Sequence, residues 1–105
     1  HGPISLIEDG TIVFCVVTQS ALYEKTISNM VEVKSRGAKL FGLTTYGNYA
    51  MEDVADFTVY IPRIENLFAG SLSVIPLQLL SYYVSVGKGF DVDKPRNLAK
   101  SVTVE

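Results

Sequence analysis

The stretch Ile12-Val13-Phe14-Cys15-Val16-Val17 constrains this chain more than any other. It is short, continuously apolar and rich in β-branched side chains. A strand with one wet face alternates apolar and polar residues, whereas an unbroken run calls for cover on both faces, the habit of parallel sheets. Thr18, Gln19 and Ser20 follow as turn and helix-cap residues. Tyr23, Ile27, Met30 and Val31 then recur at helical spacing, with Lys34 and Arg36 in the last turn and Gly37 just past it as a stop. Leu40-Phe41-Gly42-Leu43-Thr44 reads as a second strand, so the unit is strand–helix–strand. Such a crossover is right-handed and leaves its strands parallel. Phe57 to Ile61 reads as a third strand ended by Pro62, and Tyr46 to Ala55 as a loop with one helical turn.

From Leu67 to Val86 the pattern is helical again, with Leu72, Ile75, Leu79, Tyr82, Tyr83 and Val86 on one face. Pro76 within it should kink the helix or mark its first turn. Gly87 and Gly89 end it, and residues 90–105 form a tail without periodicity. The fold class is α/β, with a short parallel sheet of about three strands. Ile12 to Val17 is too apolar for a sheet edge, so its neighbouring strand is expected upstream of His1.

Composition removes several functions. With 105 residues and a formal net charge of −2, this is at most one small domain, with no electrostatic footprint for nucleic acid or an anionic membrane. The Ile12–Val17 run is too short to span a bilayer. A single cysteine, Cys15, permits no internal disulfide and fits a reducing, cytoplasmic setting. One histidine and one cysteine make no zinc site, and neither a metal nor another cofactor is expected.

A doubly wound sheet places ligands at the carboxyl ends of its strands. That directs attention to Thr18-Gln19-Ser20 and to Thr44-Thr45-Tyr46-Gly47, which could hold phosphate or serve as plain connections. The tail holds Leu98-Ala99-Lys100-Ser101-Val102. A lysine among apolar groups and other cations favours its neutral amine, a nucleophile toward carbonyls; the alternative is a solvated surface charge.

The residues also carry a family resemblance. The tail from Asp91 to Glu105, DVDKPRNLAKSVTVE, closely resembles the C-terminus of the glutamine–fructose-6-phosphate aminotransferases, also called glucosamine-6-phosphate synthases. Val74-Ile75-Pro76-Leu77-Gln78-Leu79-Leu80 resembles that family's final helix, internal proline included. His1-Gly2-Pro3 resembles its His-Gly-Pro motif, and Ser28-Asn29, Glu32-Val33 and Arg36-Gly37 resemble the helix between. The resemblance covers the whole chain.

It implies a three-layer αβα sandwich of the sugar-isomerase (SIS), flavodoxin-like type. Residues 1–89 would be the C-terminal half of the second SIS subdomain, and residues 90–105 the tail that folds over the sugar site. It further implies that Lys100 forms a Schiff base with C2 of fructose 6-phosphate. His1 would assist ring opening in the active site of the partner subunit of a homodimer. The backbone at Ala99 would lie beside the sugar, and Leu98, Ala99, Val102 and Arg36 near an ammonia passage. For Arg36 a simple cation at a helix end is the other reading, and for His1 a cleavage remnant. The product would be glucosamine 6-phosphate. The family's catalytic glutamate lies upstream of the His-Gly-Pro motif, and none of Glu8, Glu24, Glu32, Glu52 or Glu65 matches it. The phosphate loop of the first SIS subdomain and the glutaminase domain are not in this sequence either, so the 105 residues alone are expected to be inactive. The alternatives are a non-catalytic phosphosugar-binding SIS module, or a related SIS phosphosugar isomerase or deglycase. Neither needs the lysine-bearing tail.

Overall fold

The computed structural model describes residues 2–95. After a 3-10 turn at Gly2–Leu6 come β1 (Ile12–Val17), a 3-10 turn at Ser20–Leu22, α1 (Tyr23–Ser35) and β2 (Lys39–Thr45). A further 3-10 turn at Tyr49–Asp53, β3 (Phe57–Ile61) and α2 (Asn66–Gly87) complete it. The strands form one parallel sheet in the order β1-β2-β3. Val13 pairs with Leu40 and Val16 with Leu43 across the first ladder, and Leu43 with Val59 across the second. All three expected strands are present, and each connection crosses over as parallel pairing demands.

Two compact units divide between Ser73 and Val74, inside α2. In the first unit, one face of the sheet carries the core. Val17, Met30, Ala38, Leu40, Met51 and Ala55 are buried there, with Val13, Cys15, Tyr23, Ile27 and Val33 packed against them. Met51 seats over Gly42: any Cβ at that position would run into the Met51 thioether. The lack of a side chain at Gly42 is thus what lets the 3-10 turn lie flat on β2. On the other face Leu43, Thr45 and Ile61 are buried, but Ile12, Phe14, Val16, Phe57 and Val59 are exposed.

The structure refines three local expectations. The start of the first helix is not capped by a hydroxyl: neither Gln19 nor Leu22 makes a side-chain cap bond. The 3-10 turn does that work, with Leu22 N–H donating to Gln19 O at 3.1 Å. Pro76 does not sit in a first turn, because α2 begins ten positions earlier and continues past it; the ring removes the bond that the Leu72 carbonyl would otherwise accept. The apolar face of α2 is not where its burial falls. Its buried residues are Ala69 and Ser73, while Ile75, Leu79, Tyr82, Tyr83 and Val86 are exposed. Ser71, Gln78, Ser81 and Ser85 share another face among apolar residues, so the sequence marks no boundary that singles out Ala69 and Ser73.

Candidate functional site

The carboxyl ends of β1 and β2 are joined by a hydroxyl network. Thr44, fully buried, donates its Oγ1 hydrogen to Val17 O at 2.7 Å. Asn48 Nδ2 donates to Thr44 Oγ1 at 3.0 Å and to Thr45 Oγ1 at 3.1 Å. Arg63, just beyond β3, donates from Nε to Tyr46 O at 2.9 Å. Its guanidinium lies so close to Gly47 that a Cβ there would meet it at 2.8 Å, and Gly47 has φ +102°. These loops therefore spend their hydroxyl and guanidinium groups on each other. That supports the reading of the Thr44–Gly47 loop as a connection.

Beside this network lies a tyrosine cluster that the sequence did not single out. Tyr46 stacks on Tyr60 with ring centroids 5.6 Å apart, and Tyr49 meets Tyr60 edge-on at 5.5 Å. The Tyr60 hydroxyl donates to Glu52 Oε1 at 2.6 Å, and that acceptor carboxylate is the main reason its pKa is pushed up to about 12. Its residues come from a loop, a 3-10 turn and a strand, so no linear spacing announces them.

The amino end of the sheet is built differently. Asp56 accepts the Leu40 N–H on Oδ2 at 2.7 Å and faces Lys34 Nζ at 3.5 Å. The Leu40 bond first, and the Lys34 charge second among the favourable contacts, hold this carboxyl below its ordinary range. Lys34 also donates to the Val54 carbonyl. An open depression of about 220 Å³, lined by Glu52, Ala55, Asp56, Phe57 and Thr58, lies where β3 begins. Arg36 is at this end too, at the C-terminus of α1, with a guanidinium nitrogen 3.6 Å from Glu32 Oε1. It is the one expected site residue within the described part. His1, Leu98, Ala99, Lys100 and Val102 lie outside the described residues. Cys15 packs at the edge of the core, and burial pushes its thiol up, which leaves it a packing residue. Among the described residues no three His, Cys, Asp or Glu side chains come together.

The family model described as the SIS domain matches residues 1–87. The chain belongs to the SIS domain family. The SIS match ends on Gly87, the last residue of α2. By length and composition this helix could cross a membrane, with 22 residues and a mean hydropathy of 1.4 over an 18-residue window. Ser71, Ser73, Gln78, Ser81 and Ser85 interrupt it, which is why a search for unbroken apolar runs passes over it. Two curated proteins named glutamine–fructose-6-phosphate aminotransferase (isomerizing) align over all 105 residues. The one from Clostridium tetani is 59% identical and the one from Clostridium acetobutylicum 56%. The chain spans 17% of the length of each. Among solved structures, the C-terminal domain of glucosamine-fructose-6-phosphate aminotransferase from Francisella tularensis superposes with a TM-score of 0.75 at 34% identity. That match covers 88% of this chain and 26% of the other. The α/β fold with a parallel sheet is thereby the SIS fold, here in part.

Proposed function

We propose that this chain is the C-terminal part of the isomerase region of a glutamine–fructose-6-phosphate aminotransferase. Residues 1–89 make up the C-terminal half of its second SIS subdomain and residues 90–105 its active-site tail. One observation carries the reading: the SIS match stops at residue 87, whereas the aminotransferases stay aligned through residue 105. A bare phosphosugar-binding module, or another SIS isomerase or deglycase, has no need of the Asn97–Ser101 segment.

On this reading the chemistry belongs to the tail. The neutral Lys100 amine adds to C2 of open-chain fructose 6-phosphate and water leaves, giving an imine. Ammonia then displaces the lysine at C2. The resulting imine withdraws electrons from C1, so that one proton can leave C1 and another return to C2. The product is glucosamine 6-phosphate, with its aldehyde at C1. His1 exchanges protons during ring opening, in the active site of the partner subunit, a task suited to a group that titrates near neutrality. The Ala99 backbone sits beside the sugar. Leu98, Ala99 and Val102 supply apolar wall to the ammonia passage, near which Arg36 ends its helix. The proton-moving carboxylate, the phosphate loop and the glutaminase belong to the rest of the parent chain. The parent is a cytoplasmic homodimer that needs neither metal nor cofactor. The committed hydrogen bonds at Thr44, Thr45 and Asn48 agree with a sugar site made elsewhere.

The test is Lys100→Arg in the full-length parent enzyme. The variant keeps the charge but cannot form an imine at C2. Glucosamine 6-phosphate synthesis should fall by about a thousandfold or more while glutamine hydrolysis persists. Synthesis at the parent rate would overturn the assignment.

A further inference from the structure

One-electron oxidation of a protein settles on its most easily oxidised accessible side chains. This chain has no tryptophan and six tyrosines. Met30 and Met51 are buried, and Cys15 packs at the edge of the core with its thiol pushed up by burial. The phenols are the groups left to lose an electron, and they are not equivalent. A phenol that loses an electron must also lose its proton. That exchange is fast where a base already holds the proton in a hydrogen bond.

Tyr60 meets the condition, since its hydroxyl donates to Glu52 Oε1 at 2.6 Å. Among the described residues, no other phenol donates to a carboxylate. The Tyr23 hydroxyl, by contrast, is buried without a partner. Glu52 is exposed and lines the open depression where β3 begins, so water reaches its carboxylate. Two further rings touch Tyr60. Tyr46 stacks on it at 5.6 Å with 15° between the planes, and Tyr49 meets it edge-on at 5.5 Å. Both open to solvent, Tyr46 at 53% and Tyr49 at 60% exposure. The half-buried phenol with the base thus lies against two phenols on the surface.

We propose that Tyr60 and Glu52 form a proton-coupled oxidation site, through which small one-electron oxidants act on the Tyr46–Tyr49–Tyr60 cluster. The oxidant is a diffusible radical or a one-electron metal complex. It takes one electron from the Tyr60 phenol and is itself reduced by one. The O–H bond breaks in the same step, and the proton bonds to Glu52 Oε1. Tyr60 is left as a neutral phenoxyl radical and Glu52 as a carboxylic acid. An electron from the stacked Tyr46 then restores Tyr60, which takes its proton back from Glu52. The Tyr46 hydroxyl proton goes to water. The radical ends on an exposed ring, where a small thiol returns one hydrogen atom and becomes the thiyl radical. Neither Lys100 nor the parent reaction enters into this chemistry.

The experiment uses the full-length parent protein. Tris(bipyridyl)ruthenium(III), generated by light and persulfate, is the oxidant. The nitroso compound 2-methyl-2-nitrosopropane traps tyrosyl radicals, and peptide mass mapping reads the yield at each tyrosine. Glu52→Gln keeps a hydrogen-bond acceptor for Tyr60 but is no base. It should lower the summed yield on Tyr46, Tyr49 and Tyr60 by about fivefold or more, and leave tyrosines outside the cluster unchanged. Tyr60→Phe keeps the ring and removes the phenol. It should lower the yields on Tyr46 and Tyr49 themselves by about threefold. A cluster yield within twofold of the parent value in folded Glu52→Gln overturns the proposal. So does a fall shared by every tyrosine, because loss of structure would explain it. Unchanged yields on Tyr46 and Tyr49 in Tyr60→Phe overturn it too, since direct attack on the exposed rings would then suffice. Where Glu52→Gln does not fold, Tyr60→Phe decides alone.

Discussion

The two faces of the sheet come from the same three apolar runs and end in different states. One face is closed by α1 and the Tyr49–Asp53 turn, with Leu40 and Met51 fully buried. On the other, a row of rings crosses all three strands, Phe14 to Phe41 at 5.3 Å and Phe41 to Phe57 at 5.8 Å. Phe14 is 50% exposed and Phe57 57% exposed. A continuously apolar strand encodes two covered faces, and these 94 described residues supply the cover for one of them in full. The difference is what a part of a larger domain should look like, and it agrees with a chain that spans 17% of its curated relatives.

The largest test of this contrast compares two truncations of similar chemistry. Leu40→Ala should destabilise the 105-residue chain by about 2–5 kcal/mol, as for a core leucine. Phe14→Ala in the same chain should lose well under half as much, because half of its ring is already in water. In the full-length parent the Phe14→Ala loss should rise toward the 3–5 kcal/mol typical of a buried phenylalanine. Denaturant melts of both backgrounds read this directly, and an equal Phe14→Ala loss in the two would break the contrast.

A middle-sized effect lies where the covered face meets the carboxyl ends. Thr44→Val should cost about 0.5–1.5 kcal/mol, since it removes the hydroxyl that donates to the buried Val17 carbonyl and takes one acceptor from Asn48. Asn48→Ala should lose less, its partners being hydroxyls that can turn to others.

The smallest effect belongs to the amino end. Asp56 has its folded pKa lowered, chiefly by the Leu40 N–H bond. A group shifted this way contributes stability that is present above its unfolded value, 3.8, and lost as pH falls through the folded one. The carboxyl is largely open to solvent, so the slope is shallow. Melting curves between about pH 5 and pH 2 should show a small loss that Asp56→Asn removes, and an unchanged slope in the variant would count against the assignment.

The strands were legible because β-branched runs bounded by Thr, Gly and Pro leave little else for the backbone to do. Ile12 to Val17 and Phe57 to Ile61 fall where the pattern puts them. What the sequence hid is what depends on neighbours. α2 carries large apolar residues well beyond one stripe, so nothing in it marks Ala69 and Ser73 as the buried pair; small residues at i and i+4 are a signal of close approach, weaker than a stripe of leucines. The Tyr46–Tyr49–Tyr60–Glu52 cluster arises only when β2 and β3 lie side by side. The site itself was legible in the reverse sense: Lys100 and its flanks stand out as a motif, and they fall outside the described residues. Arg36 is described: it ends α1, and its guanidinium faces Glu32, which fits the reading of a cation at a helix end.

The proposed function stands or falls with a covalent bond between Lys100 and the sugar. The direct measurement is borohydride reduction of the full-length parent enzyme in the presence of fructose 6-phosphate, followed by peptide mass spectrometry. The expected result is a reduced hexose phosphate adduct on Lys100, and its disappearance when Lys100→Arg is treated the same way. An adduct confined to any other lysine, or none under conditions of turnover, would contradict it.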